Sequence, residues 1–373
     1  MKKILFIFGT RPEAIKLAPV IKELEKYPAV FKTEICVTAQ HRRMLDQILV
    51  TFQIQPNFDL NIMQPHQTLF DVNIRVLRDL EKLLDKRKPD LILVQGDTTT
   101  AFVSALSAYY KKIKVAHVEA GLRTEDKYAP FPEEMNRRLL GALADFHFAP
   151  TRTAEQNLLN EGVARKNVLV TGNTVIDALL MALRMNPECS IPVLKRIKPN
   201  QKVILVTLHR RENFGEALER IARALKAIVR RNQEVEIVYP VHPNPNVRLP
   251  VQRLLGDSEQ IHLIKPLDYL QFIHLMKKSY LILTDSGGIQ EEAPALGKPV
   301  LVLREKTERP EAILAGATRL VGANEHKILQ ETEKLLKSVT TYKQMAKSVY
   351  PFGDGKASIY IRDFFLQYFG IKK

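Results

Sequence analysis

Several residue types are scarce in this chain of 373 residues. It contains no tryptophan, 16 glycines and two cysteines, Cys36 and Cys189, which are far apart and lack metal-ligand spacing. We therefore expect reduced thiols in a cytoplasmic protein, because a disulfide framework or a zinc site needs more closely patterned cysteines. No apolar run approaches the roughly 20 residues of a membrane span. The apolar N-terminal run ends at Gly9, which is too early for a signal peptide.

The charge balance is basic, with 56 Lys and Arg against 41 Asp and Glu and a net charge of +15. Such a balance suits anionic partners, which include nucleic acid, an acidic membrane surface and phosphorylated small molecules. Basic residues are interspersed with acids and form no long run, which disfavours nucleic acid as the main partner. A composition of 45% hydrophobic and 26% charged residues excludes a disordered chain or a collagen-like fibre.

Short apolar runs alternate with amphipathic stretches along the chain. Runs rich in Ile, Val, Leu and Phe are typical of strands buried on both faces, and the stretches between them have helical spacing. This alternation predicts βαβ units, and hence an α/β fold of doubly wound parallel sheets, while the length predicts two domains. The predicted strands are 3–8, 33–38, 91–95, 114–118, 145–149, 167–171, 203–208, 235–241, 261–265, 280–284 and 299–303.

The alternation lapses once, at 187–200, where three prolines and a basic cluster indicate a linker. We place the domain boundary within 172–200. The N-terminal Rossmann-like domain is then 1–172 and the C-terminal one 173–354. The amphipathic helix in 355–373 could pack on either domain, and would complete the N-terminal one.

Acidic residues follow two neighbouring strands of the N-terminal half. Asp97 follows 91–95, Glu119 follows 114–118, and Glu133 opens the next helical pattern. Helix capping alone would explain Asp97, and the helix dipole alone would explain Glu133. Glu119 ends an apolar strand, where a buried carboxylate is costly unless it has a partner or a role. Ligands of doubly wound sheets bind where strands end, so the convergence of three acids there predicts general acid and base groups, or a metal site. The absence of a histidine pair with ligand spacing disfavours the metal.

Other polar residues follow strands in both halves. Arg11 and Lys16 lie in the first helical turns after the first strand, where they could direct positive charge at a phosphate. In the C-terminal half, two strands end in His209 and His242. A third is followed by 285–292, Asp-Ser-Gly-Gly-Ile-Gln-Glu-Glu, where two adjacent glycines at a helix start allow backbone N–H groups to approach a diphosphate. The dinucleotide fingerprint Gly-x-Gly-x-x-Gly is absent from the chain.

Ten motifs together resemble those of the non-hydrolysing UDP-N-acetylglucosamine 2-epimerases of bacteria and archaea. They cover nearly the whole chain, in the order in which the family has them. The resemblance implies a glycosyltransferase-B type fold, with two Rossmann-like domains and an active site in the cleft between them. The motifs are FGTRPEAIKLAPVI (8–21), VTAQHR (37–42), VQGDTTTAF (94–102), HVEAGLRT (117–124), FPEEMNRRL (131–139), VTGNTVIDAL (170–179), HRRENFGE (209–216), YPVHPNPNV (239–247), LTDSGGIQEEAPALGKPV (283–300) and KTERPEA (306–312).

The resemblance also implies a reaction. UDP-GlcNAc would lose UDP by anti elimination to give 2-acetamidoglucal, and re-addition with reprotonation on the opposite face would give UDP-ManNAc for surface polysaccharide. It implies no cofactor, no metal, no nucleic acid or membrane partner, and a homodimer in the cytoplasm.

Site residues follow from the resemblance by position in the motifs. Relatives that bind a second, activating UDP-GlcNAc usually have Gln or Glu at the position of Arg43 and Arg at the position of His66. Because histidine is mostly neutral at pH 7, this difference predicts weaker substrate activation. The implied catalytic residues are Asp97, Glu119, Glu133 and His209; the substrate-binding residues are Arg11, Lys16, Arg137, Phe272, Ser286, Gly287, Gly288, Glu292 and Arg309; the allosteric residues are Gln40, Arg43, His66, Gln67 and His242.

Three other functions stay open on the sequence. A hydrolysing epimerase would share the elimination but release free ManNAc and UDP. A glycosyltransferase of the same fold would pass the sugar to an acceptor, and it is disfavoured because transferases need fewer acids near C2 of the donor. A non-catalytic nucleotide-sugar-binding regulator would not depend on the carboxylates for turnover.

Overall fold

The computed structural model describes residues 1–39, 42–64, 67–185 and 190–371, with the side chain of Arg43 left out. Strands and helices alternate as the sequence predicts. The strands are β1 Lys2–Phe8, β2 Phe31–Val37, β3 Phe58–Asp59, β4 Leu91–Gln95, β5 Lys114–Val118, β6 Phe146–Ala149, β7 Val168–Val170, β8 Lys202–Thr207, β9 Val235–Pro240, β10 Ile261–Ile264, β11 Leu281–Thr284, β12 Val300–Val302 and β13 Thr318–Leu320.

The helices flank these strands. They are α1 Arg11–Leu24, α2 Arg42–Thr51, α3 Leu69–Arg87, α4 Thr99–Tyr110, α5 Glu133–Leu143, α6 Arg152–Asn160, α7 Thr174–Met185, α8 Glu216–Arg231, α9 Pro245–Leu255, α10 Tyr269–Lys278, α11 Gly287–Ala295, α12 Pro310–Leu314, α13 Glu325–Lys337, α14 Val339–Met345 and α15 Ala357–Tyr368. In the part of the chain that the structure describes, no helix combines the length and apolarity needed to cross a bilayer.

Two parallel sheets organise the described residues. The first has the order β3-β2-β1-β4-β5-β6-β7 and the second β10-β9-β8-β11-β12-β13. In both, the order reverses direction beside the first strand of the sheet, which is the doubly wound arrangement. All eleven predicted strands are present, and the α/β prediction is confirmed. Two short strands, β3 and β13, were not predicted because their residues, Phe-Asp and Thr-Arg-Leu, form no apolar run, unlike the equally short Val-Leu-Val strands β7 and β12.

The chain divides into two compact units. Unit 1 comprises Met1–Met181 and Phe352–Lys373, and unit 2 comprises Ala182–Pro351. The central strands of each sheet are fully buried on both faces, as the run Ile4 to Phe8 illustrates with 0% exposure. Burial of such strands between helices supplies the main stabilising free energy of each unit.

The C-terminal helix α15 belongs to unit 1. Its aromatic side chains pack on β6, where the rings of Phe146 and Tyr368 have centroids 4.6 Å apart. Its N-terminus is held by Asp177 of α7, which accepts hydrogen bonds from the Ser358 backbone N–H at 2.9 Å and from its hydroxyl at 2.6 Å. An acceptor at the start of a helix satisfies N–H groups that have no partner inside the helix.

Candidate active site

Asp97 lies just beyond the carboxyl end of β4. Thr98, and not Asp97, caps α4, because its hydroxyl accepts a hydrogen bond from the Ala101 N–H at 3.0 Å. The Asp97 carboxylate instead meets α5. Its Oδ2 accepts from Arg137 Nε at 2.8 Å and lies 2.7 Å from Nη2. The Asp97 side chain is 28% exposed, so it is held in place while still reachable from solvent.

Glu119 follows the neighbouring strand β5 and is almost completely buried, with 5% of its side chain exposed. Lys16 of α1 donates to both carboxylate oxygens, at 2.7 and 2.5 Å. Gln95 Nε2 also donates to Oε2, and Asn173 Nδ2 donates to Oε1 at 3.4 Å. The backbone of Glu119 has φ +64°, a left-handed conformation that costs a non-glycine residue roughly 1–2 kcal/mol. The contacts to its carboxylate hold that conformation.

Glu133 and Glu134 stand side by side at the start of α5 but have different surroundings. Glu134 is fully buried, and its Oε2 accepts from Arg137 Nη1 and from the Thr124 N–H, both at 3.1 Å. Glu133 is half-buried, and no residue that the structure describes pairs with its carboxylate. Glu134 is therefore a structural acid, whereas Glu133 is available for a substrate.

The first helix brings a further carboxylate to this edge of the sheet. Glu13 is buried, and its Oε2 accepts from the N–H groups of Gly9 at 3.0 Å and Thr10 at 2.8 Å. Its Oε1 accepts from the Thr98 hydroxyl at 2.6 Å. Burial raises the pKa of Glu13, although these hydrogen bonds oppose that shift. Glu13 thus joins the loop of Gly9 and Thr10, which precedes the half-buried Arg11, to the loop that carries Asp97.

Asp97 and Arg137 form one pair, and Glu119 and Lys16 another, at the carboxyl edge of the first sheet. Glu133 begins α5, one turn before Arg137, and Arg11 begins α1, the helix that carries Lys16. Lys16 and Arg137, which the resemblance assigns to the diphosphate, each contact one of the carboxylates. Gln95, Asn173 and Glu13 were not predicted as site residues. A signal was present for two of them, because Gln95 ends β4 and Asn173 follows β7.

In unit 2, Asp285 follows β11 and is fully buried. It accepts from the N–H groups of His209 and Arg210, and from Asn213 Nδ2 at 3.0 Å. Its Oδ1 lies 2.9 Å from His209 Nδ1. Burial alone would raise the pKa of Asp285, but the hydrogen bonds from His209 and its neighbours outweigh burial and lower it.

The His209 ring is 43% exposed, so the Asp285 contact at Nδ1 leaves Nε2 as the nitrogen that can face a ligand. His242 lies beside it, with 6.3 Å between the two ring centroids. Burial, and then the neighbouring His209, lower the pKa of His242. His242 Nδ1 accepts from the Asn244 N–H at 3.2 Å, so this ring is held by its own turn.

The start of α11 has the features of an anion site. Ser286 occupies the N-cap position without a side-chain capping bond. A Cβ on Gly288 would meet no atom within 4 Å, so the backbone is open there. A Cβ on Gly287 would lie 3.0 Å from Arg309 Cζ, which shows that the guanidinium packs against this turn. Unpaired N–H groups, the helix dipole and a guanidinium all favour a phosphate.

Arg309 is part of a larger charged cluster. Its Nε donates to Glu291 at 2.9 Å, and its Nη1 lies 2.6 Å from Glu308. Arg210 and Arg304 also contact Glu308, at 3.3 and 2.8 Å. Burial alone would raise the pKa of Glu308, but Arg309 and Arg304 lower it to about 2. The Glu308 carboxylate thus contacts all three arginines and holds their guanidinium groups near the start of α11.

Glu292 and Phe272 complete the predicted residues of unit 2. Glu292 is 8% exposed and accepts from the Tyr269 hydroxyl at 3.3 Å. Phe272 is half-buried and lies one turn after Tyr269 on α10.

Of the predicted allosteric residues, Gln40, His66 and the side chain of Arg43 lie outside the described residues. Gln67 accepts from the Gln64 N–H at 3.2 Å, a local turn contact. Within the described ranges, no group of three or more His, Cys, Asp and Glu side chains could hold a metal ion.

A family model described as UDP-N-acetylglucosamine 2-epimerase matches residues 22–366. The UDP-N-acetylglucosamine 2-epimerase of Escherichia coli K12 is 53% identical over 364 residues, 95% of this chain and 96% of that protein. The protein of the same name from Campylobacter jejuni is 52% identical over 366 residues, 96% of this chain and 95% of that protein.

Solved structures of UDP-GlcNAc 2-epimerases are similar to this chain in fold as well as in sequence. UDP-GlcNAc 2-epimerase from Neisseria meningitidis, bound to UDP-GlcNAc, superposes with a TM-score of 0.90 at 48% identity, covering 98% of this chain and 100% of that one. The Methanocaldococcus jannaschii enzyme, in complex with UDP-GlcNAc and UDP, has a TM-score of 0.82 at 37% identity, covering 98% and 99%. The two sheets of this chain thus have the glycosyltransferase-B type fold, as predicted.

Proposed function

We propose that this chain, which belongs to the UDP-N-acetylglucosamine 2-epimerase family, is a non-hydrolysing enzyme that interconverts UDP-GlcNAc and UDP-ManNAc. The observation that carries this proposal is that Asp97 and Glu119 lie at one sheet edge in different settings, while Glu133 begins the helix whose Arg137 contacts Asp97. Asp97 contacts Arg137, Glu119 contacts Lys16, and Glu133 has no such partner among the described residues. An epimerisation that removes and replaces a proton needs an acid and a base with different surroundings.

The reaction proceeds by anti elimination and re-addition. A carboxylate removes the proton from C2 of the sugar while the bond from C1 to the diphosphate oxygen breaks, which gives 2-acetamidoglucal and UDP. The diphosphate oxygen then adds back to C1, and C2 takes a proton on the opposite face. No oxidation state changes overall, so the reaction requires no redox cofactor.

The residues of unit 2 suit the nucleotide part of this substrate. Gly287 and Gly288 would offer backbone N–H groups and Ser286 its hydroxyl to the diphosphate, since the Ser286 N–H already donates to the Thr284 hydroxyl at 3.0 Å. Arg309 packs against the same turn. Charge builds on UDP as the C1–O bond breaks, and His209, with Nδ1 against Asp285, would stabilise it through Nε2. Glu292 would accept from ribose hydroxyls, and Phe272 would lie near the uracil.

The remaining parts of the proposal concern context. We expect a cytoplasmic homodimer that supplies UDP-ManNAc to surface polysaccharide synthesis. A nucleotide sugar is a phosphorylated small molecule, which agrees with the basic charge balance.

Incubation of the protein with UDP-GlcNAc in D₂O, followed by ¹H NMR, tests the function. The expected product is UDP-ManNAc with deuterium at C2, and the C2 proton of the remaining UDP-GlcNAc should exchange as well. Free ManNAc and UDP as the final products would identify the hydrolysing reaction instead. Retention of the C2 proton with transfer of sugar to an added acceptor would identify a glycosyltransferase.

His209→Ala tests the role of unit 2 separately. We expect kcat to fall while the Kd for UDP changes little, because the imidazole acts on charge that develops during bond breaking. A rise in KM at unchanged kcat would make His209 a ground-state binding group.

A further inference from the structure

A buried histidine lies directly beside the proposed carboxylates. His117 is in β5, two residues before Glu119, and is 1% exposed. Burial, followed by the neighbouring His147, lowers the pKa of His117 to about 3. The imidazole is therefore neutral at pH 7, and no step of the proposed reaction uses it as an acid or a base.

The ring makes one short contact to the backbone of the adjacent loop. His117 Nε2 lies 2.7 Å from the carbonyl oxygen of Gly96. A carbonyl oxygen can only accept, so Nε2 carries the proton and donates. Nδ1 is buried and has no hydrogen-bond partner among the described residues. Among the described residues, the hydrogen bond to Gly96 is therefore the single hydrogen bond of this buried ring.

This contact fixes the peptide that leads into Asp97. Gly96 has φ +72°, and its N–H donates to the Val118 carbonyl at 3.0 Å. Both ends of Gly96 are thus bonded to β5, one through the backbone and the other through the His117 side chain. The Gly96 carbonyl belongs to the peptide bond whose nitrogen is that of Asp97, so its direction sets the direction in which Asp97 leaves β4.

We propose that His117 is a positioning residue, whose Nε2–H holds the Gly96 carbonyl and thereby aligns the Asp97 carboxylate for proton transfer. This inference rests on the proposed function, because it gives His117 a role only through Asp97. The Asn136 side chain, which donates to the Asp97 carbonyl at 2.9 Å, holds the next peptide of the same turn. A catalytic group displaced by about 1 Å can lose on the order of 10² in rate, so the alignment matters.

Two substitutions at position 117 separate positioning from packing. His117→Met fills a similar apolar volume without a donor. His117→Gln keeps a donor, since its Nε2 is three bonds from Cβ, as is Nε2 of histidine. We expect kcat of His117→Met to fall about 10- to 100-fold with KM for UDP-GlcNAc within about threefold, and His117→Gln to regain most of kcat.

His147→Met is the matched control. His147 is the register partner of His117 on β6 and is equally buried. Its substitution removes a buried imidazole from the same sheet without touching the loop of Asp97. We expect a similar loss of thermal stability but near-wild-type kcat. Equal kcat losses in both variants would reduce His117 to a packing residue and overturn the proposal.

A double-mutant cycle with Asp97→Asn completes the test. If His117 acts through Asp97, His117→Met should slow wild type but add almost nothing to the loss already caused by Asp97→Asn. Fully multiplicative losses would overturn the positioning role. Near-wild-type turnover of Asp97→Asn itself would overturn the catalytic role of Asp97 and, with it, the positioning role of His117. Wild type that incorporates no deuterium at C2 would contradict the proposed function, so the two failures are distinguishable. Deuterium incorporation at C2 gives the required sensitivity for the slow variants.

Discussion

Replacing Glu119 by glutamine should remove most of the turnover and part of the stability. The carboxylate accepts from Lys16 at both oxygens, and from one amide donor at each oxygen. Glutamine has a single acceptor oxygen, so its NH₂ group would face a donor whichever way the amide is placed. The buried Lys16 ammonium would also lose its anionic partner.

The two effects have different sizes. General acid and base groups contribute on the order of 10²–10⁴ in rate, so kcat of Glu119→Gln should fall by about that factor. Loss of a charge-assisted hydrogen bond costs about 1.5–3 kcal/mol, and the Glu119 and Lys16 side chains are only 5% and 14% exposed. The free energy of unfolding of unit 1 should fall by about this amount.

Glu34→Gln supplies a matched control. Glu34 is also a buried glutamate of unit 1, with 4% of its side chain exposed, and it accepts from Arg87 Nε at 3.1 Å. It lies on β2 and takes no part in the proposed site. Glu34→Gln should lose about 1 kcal/mol of stability and keep kcat, since Arg87 stays partly solvated.

Wild type, Glu119→Gln and Glu34→Gln are compared in three measurements. Deuterium incorporation into C2 of UDP-GlcNAc, followed by NMR, gives the rate, urea unfolding gives the stability, and calorimetry gives the Kd for UDP. We expect the Kd for UDP to change much less than kcat, because only Arg11, Lys16 and Arg137 of the proposed diphosphate contacts lie in unit 1 and the other nucleotide contacts lie in unit 2. If kcat of Glu119→Gln stays within a factor of about ten of Glu34→Gln, Glu119 is a structural acid and not a catalytic one.

Three further predictions concern stability and reactivity. Because the arginines lower the pKa of Glu308 from 4.5 to about 2, its stabilising effect is complete above pH 4.5 and is lost as pH falls through 2. The urea midpoint of wild type should therefore exceed that of Glu308→Gln at pH 6, with the gap closing towards pH 2. Burial raises the pKa of Cys36 to about 12, so in a Cys189→Ser background Ellman's reagent should react only on unfolding, and rapid reaction of the folded protein would contradict this. Asp177→Ala should cost about 1–2 kcal/mol and make the α15 segment sensitive to protease; unchanged resistance would show that aromatic packing alone holds the helix.

The fold could be predicted from sequence because each central strand is apolar on both faces and is separated from the next by an amphipathic helix. The positions of Asp97 and Glu119 followed from the same rule, since residues after parallel strands meet at one edge. Their partners did not follow. Glu119 is held by Lys16, Gln95 and Asn173, which come from three parts of the chain separated by tens of residues. Gln95 and Asn173 each stand at a strand end, but no local pattern predicts that they and Lys16 meet at Glu119.

Glu13 shows the limit of local interpretation most clearly. In sequence it is an ordinary first-turn acid of α1, and its carboxylate accepts from the Thr10 N–H at 2.8 Å, as the glutamate of a capping box does. In the structure the same carboxylate also accepts from Thr98, while Lys16, one turn further along α1, reaches Glu119. Residues three apart lie on the same face of a helix, so this one turn contacts the loops after both β4 and β5. The spacing of Glu13 and Lys16 therefore couples the two loops that carry the proposed acid and base, and a shift of α1 would displace both at once.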